Sequence, residues 1–374
     1  MAKAISIIIP TYKEKVNIIP LVERIANNLS KYDYEIVIVD DNSSDGSEEL
    51  VSTLAKKYPI KIIVRKNKRG LSSAVVDGIA STESEDVIVM DADLQHPPEV
   101  LSAIVKALEN HDFVMGSRYI KGGSPGEWNL TRKIVSRAAT LMALPLAPKI
   151  KDRMSGFFGF KRTVVDASTL SPTGWKIGLE ILVRSKFKAP TEVAYTFVPR
   201  ARGESKLSWR IMGQYLQQLF YLYSYKYQIL NFMLVGGIGF LINMVLYSIL
   251  VLVPALKTFA FNRVGTTYYI PPFILSSLVA IVCNYLMNKA WTFRGWNEQK
   301  GGFIRYLTMG LVALIPDSGL LIVFVQFGKL PPVPAAALAI IIMFFVRYMI
   351  ARNWVWKKKT PKKHLFTENS NSIK

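Results

Sequence analysis

Short apolar runs alternate with amphipathic segments through the first 210 residues of the chain. The apolar runs cover residues 5–9, 36–39, 60–64 and 87–90. The intervening and following segments place apolar residues at helical spacing, and they cover residues 16–29, 48–58, 71–80 and 98–110. Buried strands that alternate with helices are typical of a parallel sheet. The pattern therefore predicts an α/β head domain with a mostly parallel sheet over residues 1–210.

A second pattern begins near residue 229, where long apolar stretches follow one another. They cover residues 229–253, 271–290, 303–327 and 333–356. Each has about the 20 residues needed to cross a bilayer, with aromatic and basic residues near its ends. Buried core helices are the alternative, which four such stretches in succession disfavour. The pattern predicts a four-helix membrane domain over residues 229–356 and a basic tail over residues 357–374.

Two amphipathic helices are predicted at residues 128–145 and 207–228. In the first, Leu130, Ile134, Ala138 and Leu141 fall on one apolar stripe, with arginine and lysine elsewhere. Such helices can lie in the headgroup plane of a membrane. The alternative is a core-facing helix with a solvated basic face. The second helix directly precedes a predicted span, which favours the interfacial interpretation.

The distribution of basic residues predicts the orientation in the membrane. An even number of spans returns the chain to its starting side. The middle loop is rich in lysine and arginine, and the tail is rich in lysine. Basic loops mark the cytoplasmic side. The N-terminus starts with a strand-like run and lacks the pattern of a secretory leader. We therefore expect an integral, multi-pass membrane protein with its head domain on the cytoplasmic face.

Charge and cysteine content narrow the classes of ligand. The net charge is +20, but the basic residues gather beside the membrane-facing segments and in the tail. Anionic lipids and phosphate ligands explain that placement better than nucleic acid does. The single cysteine, Cys283, excludes a disulfide framework, and three scattered histidines disfavour a zinc site.

Polar clusters follow three of the predicted strands, at residues 10–14, 40–46 and 91–95. Ligands of open α/β sheets bind beyond the carboxyl ends of the strands. Side chains alternate along extended backbone, so Asp91 and Asp93 point the same way, and Gln95 joins them if the extension persists. Three oxygen ligands suit Mg²⁺ or Mn²⁺ together with substrate phosphates, whereas the alternative is a solvated loop. Glycine-rich dinucleotide and Walker patterns are absent from the sequence.

The order of these motifs resembles the family-2 inverting glycosyltransferases of GT-A fold. The motifs occupy residues 10–14, 39–46, 90–96 and 116–119. Three further blocks resemble the dolichol-phosphate mannose synthases within that family, at residues 131–137, 155–157 and 202–208. The apolar spans resemble the GtrA-type four-helix membrane domain.

The resemblance implies roles for individual residues. The implied nucleotide-binding residues are Pro10, Tyr12, Glu14, Val39, Asp41, Asp91, Ala92, Asp93 and Gln95. The metal, Mg²⁺ or Mn²⁺, would be bound by Asp91, Asp93 and Gln95. The lipid phosphate would be bound by Arg118, Arg132, Ser136, Arg202 and Lys206, and catalysis would depend on Asp93, Arg118 and Arg202. A helix-capping turn is the alternative for residues 40–43.

The implied reaction is metal-dependent, inverting transfer of mannose from GDP-mannose to dolichyl or another polyprenyl phosphate at the lipid bilayer. The acceptor oxygen is already anionic near neutral pH, so a general base is unnecessary. We expect Glu180, the one carboxylate of the segment 174–180, to be a supporting residue and not a base. Two alternatives stay open, namely a UDP-glucose-dependent enzyme of the same class and a translocation module for lipid-linked sugars.

Overall fold

The computed structural model describes residues 4–170, 174–198, 209–256, 260–263, 266–294, 296–312, 316, 320, 323–330 and 332–357. The chain divides into two compact units, Met1–Lys226 and Tyr227–Lys374.

The first unit is built on a seven-stranded sheet with the order β3-β2-β1-β4-β6-β5-β7. The strands are β1 (Ile5–Thr11), β2 (Tyr34–Asp40), β3 (Ile60–Val64), β4 (Asp86–Val89), β5 (Phe113–Ser117), β6 (Phe158–Lys161) and β7 (Pro190–Ala194). Strand β6 runs antiparallel to both of its neighbours, and the other pairs are parallel. The predicted α/β domain with a mostly parallel sheet is confirmed.

Helices cover both faces of this sheet. The helices of the first unit are α1 (Lys15–Asn28), α2 (Ser47–Leu54), α3 (Leu71–Ala80), α4 (Leu101–Leu108), α5 (Leu130–Met142), α6 (Ile177–Arg184) and α7 (Trp209–Lys226), with short 3-10 turns at Pro98–Val100, Arg162–Val164 and Ala167–Thr169. Side chains of β1 alternate between the two faces, as the period of two requires. Ile7 and Ile9 pack with α1, whereas Ile8 packs with α3.

The sheet order brings three polar clusters together. Strands β2, β1 and β4 are neighbours and run parallel, so their carboxyl ends lie at one edge. The segments that follow them are the three predicted clusters at residues 10–14, 40–46 and 91–95. This edge is therefore where the first unit places its candidate chemistry.

The apolar stripe of α5 lies on the surface. Leu130, Ile134 and Leu141 are 73%, 58% and 67% exposed. Helix α7 holds α5 from another side, because the Tyr215 hydroxyl donates to the Ala139 carbonyl at 2.6 Å and the Tyr223 hydroxyl to the Met142 carbonyl at 2.7 Å. The core-facing alternative for α5 is wrong for these three residues, and the interfacial role stays a prediction.

The second unit is mainly helical. Its helices are α8 (Gln228–Leu250), α9 (Ile270–Met287), α10 (Gly302–Val312) and α11 (Pro332–Ile350), with π-helical segments at Asn288–Thr292, Val323–Phe327 and Ala351–Val355 and a 3-10 turn at Pro254–Leu256. Its strands form two antiparallel pairs, β8 (Ala260–Arg263) with β9 (Thr266–Tyr269) and β10 (Asn297–Glu298) with β11 (Trp356–Lys357). Aromatic rings fill its core, where Phe293 stacks on Trp356 with centroids 4.4 Å apart.

Two helical segments of the described chain are long and apolar enough to cross a bilayer, Gln228–Leu250 and Pro271–Thr292. They match the first two predicted spans. The third predicted span, 303–327, begins in α10 and ends in the π-helical segment Val323–Phe327, and most of the residues between them lie outside the described part of the chain. The fourth, 333–356, falls on α11 and the π-helical segment after it. The count of four spans stays a prediction.

Candidate active site

A cavity of about 690 Å³ opens at the carboxyl edge of β1, β2 and β4. Most of the residues predicted from the sequence line it, namely Pro10, Tyr12, Glu14, Asp41, Asp91, Ala92, Asp93, Gln95 and Arg132. Side chains that the sequence did not single out also line it, including Arg69, Trp128, Trp175 and Phe197. The first unit thus gathers acidic, basic and aromatic groups around one space.

The tripeptide Asp91-Ala92-Asp93, called the acidic triplet below, reaches this cavity through a turn. Strand β4 ends at Val89, and Leu94 has a φ of +61°, so the extended backbone does not persist to Gln95. The expectation that Gln95 joins the two aspartates by strand alternation is therefore wrong. The Gln95 N–H instead donates to Asp93 Oδ1 at 3.2 Å, and Gln95 Nε2 donates to the Val198 carbonyl at 3.3 Å. These bonds hold the loop so that Asp91, Asp93 and Gln95 all line the cavity.

The donor set is suited to a divalent cation that arrives with a phosphate ligand. Asp91 has a side chain that is 36% exposed, whereas Asp93 is 9% exposed. Among the described residues, no group of three or more acidic, histidine or cysteine side chains could hold a metal by itself. Mg²⁺ typically takes one or two carboxylates and completes its shell with waters and phosphate oxygens. Two carboxylates and one amide oxygen fit that pattern.

His96 is buried behind the acidic triplet and holds the backbone of Asp91. Its Nδ1 accepts the backbone N–H of Asp91 at 3.1 Å, and its ring stacks on Phe157 with centroids 5.2 Å apart. Burial lowers the pKa of His96 to about 4, so the ring is neutral near pH 7 and Nδ1 can accept. The sequence prediction missed this role, although the histidine follows the triplet within three residues.

Gly156 approaches the triplet closely enough to predict a substitution effect. A Cβ there would lie 3.2 Å from Asp91 Oδ2 and 3.3 Å from His96 Cε1. We expect Gly156→Ala to displace the Asp91 carboxylate and weaken Mn²⁺-dependent nucleotide binding about tenfold, within the range for groups that orient metal ligands. Isothermal titration calorimetry measures this change in nucleotide affinity. Gly213→Ala is the matched control, because nothing lies within 4 Å of its added Cβ; equal affinities for both variants would contradict the placement of Asp91.

The end of the cavity beside Tyr12 and Asp41 contains a fixed carboxylate. Asp41 accepts from Arg65 Nε at 2.7 Å and from the Gly70 N–H at 2.7 Å. Arg69 lies over the Tyr12 ring at 5.4 Å from its centroid. Because Arg65 is buried and paired, it keeps Asp41 in one orientation at the cavity wall. Arg65 and Arg69 were not predicted, since an isolated arginine between two elements carries no motif.

The adjacent Asp40 has a different role from Asp41. Its carboxylate accepts from Thr11 Oγ1 at 3.0 Å and from the Ser43 N–H at 2.7 Å. Asp45 in turn accepts the Ser47 N–H at 3.1 Å where α2 begins. Asp40 therefore fixes a turn within residues 40–43 but does not cap α2, whereas Asp41 lines the cavity.

Arg118 is engaged inside the protein. Its Nε and Nη2 each donate to Asp152 at 2.7 Å, and its backbone N–H donates to Asp152 Oδ2 at 2.9 Å. Burial alone would lower the pKa of Arg118, but the hydrogen bonds and charge of Asp152 raise it above its usual value. Arg118 borders a second cavity and not the first. Its predicted role at a lipid phosphate stays a prediction, and Asp152 is a partner that the sequence did not reveal.

Two cationic side chains, those of Arg132 and Lys176, line the first cavity together with Asp91 and Asp93. The Arg132 guanidinium lies 4.2 Å from the Trp128 ring centroid, which fixes its plane at the wall. Lys176 Nζ donates to the Met154 carbonyl at 2.8 Å, and burial lowers its pKa. Two cations beside the acidic triplet make this end suitable for phosphate groups.

Three described residues that the sequence predicted for the site, Val39, Arg118 and Ser136, do not line the first cavity. Val39 is fully buried in β2 and packs in the core, and Ser136 Oγ lies 2.8 Å from the Tyr119 hydroxyl. Arg202 and Lys206 lie outside the described residues. Glu180 is also absent from the lining; it is buried and forms an ion pair with Arg184 at 2.9 Å.

Family models match both units of the chain. The glycosyl transferase family 2 model matches residues 6–168, and the GtrA/DPMS transmembrane domain model matches residues 231–356. The dolichol-phosphate mannosyltransferase of Pyrococcus furiosus is 38% identical over 365 residues, which cover 94% of this chain and 99% of the relative. The enzyme of the same name from Saccharomyces cerevisiae is 42% identical over 242 residues, covering 61% of this chain and 90% of the relative.

Among solved structures, a glucosyl-3-phosphoglycerate synthase from Mycobacterium tuberculosis is similar to this chain with a TM-score of 0.43 and 19% identity. The match covers 60% of this chain and 78% of that one, which was crystallised with Mn²⁺, uridine diphosphate and phosphoglyceric acid.

Proposed function

The chain belongs to the family of dolichol-phosphate mannosyltransferases, and from that premise we propose that it transfers mannose from GDP-mannose to dolichyl or another polyprenyl phosphate. It is a glycosyltransferase and a membrane protein. The observation that carries the proposal is the single cavity that joins Asp91, Asp93 and Gln95 to Arg132, Trp128 and Lys176. One end suits a nucleoside diphosphate and the other suits a lipid phosphate.

The donor would lie along the carboxyl edge of the sheet. Tyr12 and Arg69 offer a flat face for the base, and the fixed carboxylate of Asp41 suits hydroxyl or N–H donors of the nucleoside. The diphosphate then falls beside the acidic triplet. GDP-mannose is favoured by the mannosyltransferase names of the relatives, and UDP-glucose is the alternative donor.

A divalent ion, Mg²⁺ or Mn²⁺, held by Asp91, Asp93 and Gln95 would supply charge neutralisation for the departing nucleoside diphosphate. His96 fixes the backbone of Asp91, and Asp93 is fixed by the Gln95 N–H. The protein thus holds its carboxylates in place before the donor binds, so little reorganisation is needed during the reaction.

The acceptor would approach from the basic end of the cavity. The lipid phosphate is anionic without the help of a base, and Arg132 presents a planar guanidinium that can bind two of its oxygens. Glu180 is engaged with Arg184, which agrees with a supporting role. Direct attack of the phosphate oxygen on the anomeric carbon inverts an α-linked donor into a β-linked lipid phosphate sugar.

Donor choice and metal dependence can be tested by calorimetry on the full-length protein in neutral detergent. GDP-mannose with Mg²⁺ or Mn²⁺ should bind more tightly than UDP-glucose under the same conditions, and a chelator should abolish the binding. Tighter binding of UDP-glucose would overturn the donor assignment. Undiminished binding of GDP-mannose in the chelator would overturn the metal assignment.

We also propose that the head domain faces the cytoplasm and that the spans localise it. Every described residue that lines the first cavity precedes α8, since the last is Ile211. A chain truncated at Tyr227 should therefore fold, bind donor and retain some transfer to detergent-dispersed lipid phosphate. Its activity on liposomes should fall more than its donor affinity, because amphipathic helices alone give reversible attachment.

Side-by-side assays of truncated and full-length protein, in detergent and in liposomes, measure this effect. A folded truncation that binds donor but forms no product in either medium would show that the membrane domain helps to build the active site.

A further inference from the structure

A second cavity, of about 490 Å³, lies beside α5 in the first unit. The loop after β5, the C-terminal half of α5 and the loop that follows it form its walls. Four cationic side chains line it, those of Arg118, Arg137, Lys151 and Arg153, and no carboxylate is among its lining residues in the described part of the chain. Of its lining residues, Arg118 is the one to which the family resemblance gives a role in the proposed reaction.

Three of these cations keep their charge available to a ligand. Asp152 neutralises Arg118. Arg153 is buried, and its guanidinium donates to the backbone carbonyls of Ala147, Pro148 and Lys151 at 2.7–3.4 Å, which fix its position. Glu192 is close enough to act on its charge but forms no ion pair with it among the described residues. Arg137 and Lys151 are exposed and form no ion pair with the described residues. A cavity of this charge attracts anions.

A buried hydroxyl lines the same cavity. Thr140 is 8% exposed, and its Oγ1 has no hydrogen-bond partner among the described residues. Buried polar atoms are normally hydrogen-bonded. An anionic oxygen in the cavity would accept from this hydroxyl, which gives Thr140 the partner it otherwise lacks.

Exposed leucines line the cavity together with the exposed cations. Leu141 and Leu144 line it and are 67% and 40% exposed. Leu141 also belongs to the exposed stripe of α5, so the cationic cavity adjoins a surface fit for acyl chains. A ligand that combines an anionic head with an apolar tail matches both features.

We propose that this second cavity binds the phosphate group of an anionic membrane phospholipid, at a site separate from the sugar acceptor. The two cavities share no lining residue among those described, although the Arg118 guanidinium of the second lies 4.9 Å from the ring centroid of Trp128, which lines the first. Arg137, Lys151 and the Thr140 hydroxyl bind the phosphate, and Leu141 and Leu144 contact the acyl chains. The bound lipid holds α5 at the headgroup level.

Native mass spectrometry of the full-length protein in neutral detergent tests the site. Wild-type protein labelled uniformly with nitrogen-15 and unlabelled variant protein are mixed in one sample, so that their masses differ, and titrated with short-chain phosphatidylglycerol, so that lipid sites elsewhere cancel. Arg137→Gln and Lys151→Gln should each weaken binding about fivefold, the effect of one basic residue near a charged lipid surface. Lys149→Gln, an exposed residue of the same loop that does not line the cavity, should bind as the wild type does.

Thr140→Val provides a second readout that does not depend on charge. Without lipid its melting temperature should equal or exceed that of the wild type, because a buried hydroxyl without a partner is removed. With phosphatidylglycerol its thermal stabilisation should be smaller than that of the wild type. A lower melting temperature without lipid and an unchanged stabilisation by lipid would overturn the role of Thr140.

Two further comparisons show whether the cavity binds the phosphate of a lipid or a soluble phosphate. Phosphatidylcholine should bind more weakly than phosphatidylglycerol, and inorganic phosphate and glycerol 3-phosphate should bind more weakly still. Equal binding of the soluble phosphates would assign the cavity to a soluble anion and overturn the lipid proposal. Wild-type lipid binding by Arg137→Gln and Lys151→Gln would overturn the site itself.

Discussion

Replacing Asp93 by asparagine should lower mannosyl transfer on the order of a thousandfold while leaving the fold intact, as expected when charge stabilisation of the transition state is lost. Asp93 is 9% exposed, and its Oδ1 accepts the Gln95 N–H at 3.2 Å. Asparagine retains an oxygen for that bond, so the turn can persist. The variant lacks only the negative charge that would hold a divalent ion against the diphosphate.

Initial rates of transfer at saturating metal, together with calorimetry of donor binding, measure the effect of Asp93→Asn. Asp166→Asn is the control, because Asp166 is an exposed capping residue whose Oδ1 likewise accepts a backbone N–H, that of Ser168 at 3.0 Å. Wild-type rates for Asp93→Asn, with metal-dependent donor binding preserved, would remove Asp93 from the metal site.

Replacing Asp152 by alanine should destabilise the first unit by about 3–5 kcal/mol, because the buried charge of Arg118 loses its partner. The side chains of Arg118 and Asp152 are 6% and 0% exposed, and three hydrogen bonds join the two residues. Transfer should also fall, since Arg118 contacts the ring of Trp128, which lines the first cavity. The loss of stability can be followed by thermal unfolding of the full-length protein in detergent.

A paired apolar replacement separates stability from function. Arg118→Met combined with Asp152→Leu removes both charges, and such replacements are often neutral or stabilising. We expect the double variant to regain most of the stability lost in Asp152→Ala but to remain poorly active if Arg118 serves the lipid phosphate. Full activity in the double variant would show that the pair is purely structural.

Local hydrophobic patterns were sufficient to predict the first four strands of the sheet but not the order and direction of the remaining strands. Strands β1 to β4 follow from apolar runs separated by amphipathic helices. The antiparallel insertion of β6 between β4 and β5 depends on pairing across distant positions, such as Asp86 with Lys161, for which periodicity carries no signal. The stripe of α5 was predicted correctly, and the structure was needed to show that Leu130, Ile134 and Leu141 are exposed.

The sequence likewise predicted some residues of the candidate site and not others. The clusters after β1, β2 and β4 could be placed at one edge because parallel strands end together. The partner of Arg118 could not be predicted, since Asp152 lies 34 residues away and belongs to no motif. His96 was visible beside the triplet, but only packing against Phe157 and Tyr195 reveals that its ring supports the Asp91 backbone.

Product formation by the full-length protein in liposomes that contain polyprenyl phosphate tests the central proposal most directly. Labelled GDP-mannose and labelled UDP-glucose are supplied separately, each with Mg²⁺ or Mn²⁺ and each with a chelator. We predict labelled lipid from GDP-mannose in the presence of metal and none in the chelator. Labelled lipid from UDP-glucose alone, or no labelled lipid from a protein that binds GDP-mannose, would contradict the proposed mannosyl transfer.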